Sequence, residues 1–216
     1  MPPLDHVGCV VLYCVLYLVM PTLLHGELTL AYVTKYNLLI CQCAQDLPVC
    51  SIINSNHPSC ICNRPLSTPQ RQVHGPAVLQ YSHLTVWYSS PLNTARLLNN
   101  SEVRNLTLIK CNLSEDEPPA FDHFAVQRLE RLRVSYPVWR PGQSHDMLLG
   151  RDMGAPYHEE ARIAIIHAAV LAGAHELKAY TVKTEVDSQG KMSLPHIFMS
   201  NDNLTEMTSM FVTFVY

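Results

Sequence analysis

The segment VRNLTLIKCNL, residues 103–113, fits the pattern L-x-x-L-x-L-x-x-N/C-x-L throughout, with Val103, Leu106, Leu108, Cys111 and Leu113 in the defining places. Two other windows align with it. LERLRVSYPVW (129–139) supplies Leu129, Leu132, Val134 and Trp139, with Pro137 where Asn or Cys is expected. YSHLTVWYSSPL (81–92) supplies Tyr81, Leu84 and Val86, with Ser89 at the Asn/Cys place and Leu92 one residue late. Starts at Tyr81, Val103 and Leu129 are 22 and 26 residues apart, inside the roughly 20–29-residue period of leucine-rich repeats. The same alternation also describes half-buried strands of an open sheet or sandwich. Both descriptions give one parity: Leu84, Val86, Leu106, Leu108, Leu132 and Val134 face a core, and Thr85, Trp87, Thr107, Ile109, Arg131 and Arg133 face outward.

Ahead of these windows lies ICQCAQDLPVCSIINSNHPSCICN (40–63), with five cysteines at 41, 43, 50, 60 and 62. Their meaning depends on the compartment, which the first residues address. Val7 to Leu24 carries no charge, and no basic residue precedes Lys35. An apolar run that ends near Gly26 reads as a secretory leader over residues 1–26. Retention as an anchor is the alternative, but a cytoplasmic anchor end would carry Lys or Arg. No later stretch has the ~18 apolar residues a span needs. In an exported chain Cys41, Cys43, Cys50, Cys60, Cys62 and Cys111 read as a disulfide frame. Cys-x-Cys is a poor bite for one tetrahedral zinc, and no Cys-x-x-Cys redox pair is present. A thiol left at Cys111 would leave five cysteines in the cluster, an odd number, so a bridge from Cys111 back to the cluster is expected. The frame would cap the apolar end of the repeats.

Four Asn-x-Ser/Thr triplets, at Asn99, Asn105, Asn112 and Asn203, are acceptors for N-glycosylation in an exported chain and would force those points to the surface. The remaining order is coarser. Residues 27–40 read as one strand entering the cysteine cap, and NRPLSTPQRQVHGP (63–76) reads as a linker. This divides the chain into a leader (1–26), a strand plus cap and linker (27–76) and a repeat-like α/β domain (77–216). HEEARIAIIHAAVLAGAHEL (158–177) reads as one long, substantially buried C-terminal helix, with Glu159 and Glu160 in its first turn as the helix dipole favours. KAYTVKTEV (178–186) and MFVTFVY (210–216) read as strands. The expected fold is thus α/β: a short leucine-rich-repeat-like solenoid or open sheet, a disulfide-rich cap and one long helix.

The Cys-x-Cys…Cys…Cys-x-Cys spacing, HLTVWYSS (83–90), NLTLIKCN (105–112) and FVTFVY (211–216) together resemble the exosomal polycystin-interacting protein family. The resemblance implies a secreted glycoprotein carried on extracellular vesicles, with the large membrane receptor polycystin-one as partner. It offers no catalytic residues to carry over.

The remaining chemistry is spare. His158-Glu-Glu lacks the second histidine of His-Glu-x-x-His, and His167 and His175 are eight residues apart, too far to share one ion directly. No Gly-x-Ser-x-Gly elbow or phosphate loop occurs, and Glu115-Asp-Glu117 reads as a solvated turn before two prolines. With 15 Lys and Arg against 18 Asp and Glu, the balance does not suggest nucleic acid. The expectation is an interaction protein: no catalytic residues, no metal, no cofactor, no small-molecule substrate. Its partner-binding face would be Trp87, Thr107, Ile109, Arg131 and Arg133, because aromatic plus Arg is the composition of interface hot spots. Asn105 shares that parity, so a sugar there would partly obstruct the face. A self-assembling extracellular structural protein is the second possibility, and a cryptic hydrolase the third.

Overall fold

The computed structural model describes residues 28–44, 47–52, 56–63, 79–112, 122–149, 161–173, 176–188, 192 and 209–216. The leader (1–26), most of the linker, Asn203, His158, His175 and Glu115–Glu117 lie outside them. The described strands form one eleven-stranded mixed sheet.

The stretch expected as a single strand over 27–40 is a hairpin, β1 (Leu28–Val33) and β2 (Leu38–Cys43), paired antiparallel. Thr34 makes the break: its Oγ1 accepts from the backbone N–H groups of Tyr36 at 3.3 Å and Asn37 at 2.9 Å, a local bond that competes with strand pairing. β3 (Cys60–Asn63) then pairs antiparallel with β2.

The three aligned windows become β4 (Gln80–Tyr88), β5 (Ser101–Lys110) and β7 (Arg131–Ser135). They lie side by side and parallel, with Leu84 beside Leu106 beside Leu132, and Val86 beside Leu108 beside Val134. These six side chains are buried. The solenoid nevertheless does not form. β1 and β2 extend the same sheet on one side, and β8 (Ser144–Leu148) runs antiparallel to β7 on the other. Among the described residues the step from β4 to β5 passes through a helix, whereas the step from β5 to β7 passes through another strand. That helix, α1 (Pro91–Leu98), begins with Ser90 as N-cap and Pro91 in its first turn, and buries Pro91, Thr94, Ala95 and Leu98 as one stripe, where such residues belong. Asn93 Nδ2 ties it to the β1–β2 turn through Thr34 O at 2.9 Å.

The sheet forks at β5. Its first two residues pair with β6 (His123–Gln127) at Ser101 and Glu102, whereas Asn105–Ile109 pair with β7. The β6 branch continues antiparallel to β9 (Arg162–His167), then parallel to β11 (Ser209–Val215) and antiparallel to β10 (Ala179–Glu185). The main core fills the fork, contacted by Ala164 and Ile166 of β9 from one branch and by Leu132 and Val134 from the other.

β9 also replaces the long helix expected over 158–177. Among the described residues the helices are α1 and the four-residue α2 (Ala169–Ala172), which Gly173 ends at φ +104°. The apolar residues surround the segment because β9 is a strand buried on both faces, not a buried helix. Ala164 and Ile166 enter the main core, while Ile163 and Ile165 enter a second one with Ala125, Met210 and Val212.

The last four carbonyls of a helix have no partner inside it. At α2, side chains from the ends of three parallel strands take three in succession. Tyr136 Oη donates to Val170 O at 2.9 Å, Tyr88 Oη to Leu171 O at 3.0 Å, and Lys110 Nζ to Ala172 O at 3.3 Å.

Candidate functional site

β2 and β3 place Cys41 opposite Cys62 and Cys43 opposite Cys60, and both pairs are joined. Residues two apart share a face of a strand, so the two cystines form a rung pair on the outer face. The third bridge joins Cys50 to Cys111 across 61 residues, laying segment 47–52 over the same face. Beneath lies a third small core of Leu30, Leu39, the buried cystine sulfurs and Trp87, with Ile109 and Leu47 packed against it.

The candidate partner face is corrected there. Trp87 has the expected parity but is only 2 % exposed: its neighbour β1 brings Tyr32 alongside, and the cystine segment covers it. Trp87 holds the module to the sheet and offers no surface to a partner. Ile109, half-buried, packs against the same core. Thr107 is half-buried, and Arg131 and Arg133 remain open to solvent.

These three belong to a polar shelf across four strands in register. One row runs His83, Asn105, Arg131, Leu148, and the next Thr85, Thr107, Arg133, Asp146. Arg131 Nε stands 3.6 Å from Asp146 Oδ1, a pair exposed on both sides and so worth little by itself. Arg133 is exposed one rung along. The floor is stiff because every second residue beneath it is core.

Asn99, the C-cap of α1, accepts through Oδ1 from Ala125 N at 3.0 Å. Asn105 lies half-buried on the shelf, with Nδ2 3.1 Å from His83 Nε2 and 3.5 Å from Ser82 O. Asn112 is exposed beside the tethered Cys111.

An aromatic–cation cluster around Trp139 went unread in the sequence. Trp139 was aligned as an apolar repeat residue, yet it is 48 % exposed and rests on Gly173. Arg140 stands 4.8 Å and Lys110 5.7 Å from its ring centroid. The adjacent Arg was a visible signal; the approach of Gly173 was not.

Among the described residues no three His, Cys, Asp or Glu groups converge as a metal site, and no helix is long and apolar enough to cross a membrane. At Tyr136 burial pushes the phenol up to about 12, partly offset by the Arg140 charge.

No curated protein and no solved structure matches the chain. Residues 5–216, nearly the whole length, match the family described as exosomal polycystin 1 interacting protein, and the chain belongs to that family.

Proposed function

We propose that the chain is a secreted, N-glycosylated, disulfide-stapled interaction protein that binds polycystin 1, a membrane receptor, on cells or extracellular vesicles, and catalyses no reaction. The observation that carries the proposal is the family match over residues 5–216. Three cystines agree with it, since such bridges persist in oxidising compartments outside the cytosol.

The contact face we assign is the shelf of Thr107, Arg131 and Arg133. Arg supplies planar, multiply donating groups suited to carboxylates and backbone carbonyls, and a packed floor reduces the ordering cost of docking. The test is capture of the secreted chain by the immobilised extracellular region of polycystin 1. Arg131→Ala and Arg133→Ala should each weaken capture by about 1–3 kcal/mol while secretion is unchanged. Equal capture by both variants and the parent would exclude this face, and no capture of the parent would remove the receptor reading altogether.

A further inference from the structure

We propose that Asn105 is N-glycosylated and that its sugar screens the Arg131–Arg133 shelf, so that occupancy of this one triplet sets how well the receptor is captured. The proposal rests on the interaction reading above and adds its regulation.

The geometry begins with strand parity. Positions i and i+2 of a strand share a face, so Asn105-Leu106-Thr107 sends its amide and hydroxyl to the outer face and Leu106 into the main core. Asn99-Asn100-Ser101 is arranged otherwise. It bends from α1 into β5, and its Ser101 hydroxyl is buried on Leu98 O at 2.6 Å. Of the triplet asparagines among the described residues, Asn105 is the one within the shelf. Its backbone lies beside Arg131 at about 5 Å and diagonal to Arg133 at about 8 Å, from ordinary sheet spacing. A bulky hydrated sugar anchored there stands over both guanidinium groups.

The chemistry is that of the secretory pathway. Asn105 Nδ2 attacks the anomeric carbon of a lipid-pyrophosphate-linked oligosaccharide. The N–C bond forms, the bond from that carbon to the pyrophosphate oxygen breaks, the lipid pyrophosphate leaves with the electron pair, and one amide proton passes to base. Transfer to the nascent chain precedes sheet closure, so the contacts of Nδ2 in the fold do not oppose it. Afterwards one N–H remains, enough for either His83 Nε2 or Ser82 O but not both.

The experiment combines glycopeptide mass spectrometry of the secreted chain with capture by the immobilised extracellular region of polycystin 1. Asn105→Gln and Asn105→Ser each delete the acceptor amide without touching Thr107, Arg131 or Arg133, and Asn112→Gln deletes a triplet off the shelf. The expected result is a sugar at Asn105, capture raised about tenfold by both shelf variants, and no gain from Asn112→Gln. Asn105 found wholly unmodified overturns the proposal. So does unchanged capture by both shelf variants while Arg131→Ala and Arg133→Ala still lose it, an outcome that leaves the docking face standing. If none of these substitutions alters capture, the docking face falls and its regulation with it.

Discussion

Tyr136 shows how one buried hydroxyl can be tested in two ways. Its phenol is buried and donates to Val170 O, so Tyr136→Phe leaves that carbonyl unpaired and should cost about 1–3 kcal/mol in urea unfolding. Burial raises its folded-state pKa above the unfolded value near 10, to about 12. The neutral phenol therefore contributes stability that is fully present below pH 10 and is lost as the pH rises through about 12. An ultraviolet titration should show a late tyrosine step near pH 12, and Tyr136→Phe should delete that step. Trp87 deserves the opposite expectation from a contact residue. Its truncation to Ala should cost about 3–5 kcal/mol and lower the yield of folded chain. An unaltered unfolding midpoint would refute its place under the cystine segment.

At the scale of elements, the Cys50–Cys111 bridge closes 61 residues, for which chain entropy alone gives about 4 kcal/mol. In a Trp139→Phe background, which leaves Trp87 as the single tryptophan, Cys50→Ser with Cys111→Ser should shift the emission to the red as segment 47–52 lifts away. Emission unchanged would mean the bridge does not hold the segment down. This scale also divides what was readable from what was not. The parity of β4, β5 and β7 was plain because Leu and Val alternate with polar residues along each window. The inner cysteine pairing was not, since six cysteines allow fifteen connectivities, whereas the odd count pointed to a bridge from Cys111 into the cluster. β9 was misread because an apolar run lining both faces has no alternation left to distinguish it from a buried helix. Trp87 was placed on the correct face but assigned to solvent, because its cover comes from pairing with β1, more than fifty residues earlier in the chain.

Over the whole molecule the fork at β5 organises stability. β4 and β5 are flanked by strands on both sides and roofed by core, while β8 and β10 pair along one edge each through a named strand. Hydrogen exchange should therefore be slowest in 84–88 and 105–109 and faster by orders of magnitude in 144–148 and 179–185. Uniform protection across all four segments would deny the hierarchy. The position of β11 carries a consequence for synthesis. It slots between β9 and β10, both of which precede it in the chain, so each waits with a bare edge until residues 209–215 arrive. A product cut short before Ser209 would carry two sticky ribbons where the finished protein has an internal seam, and each would be the start of an aggregate.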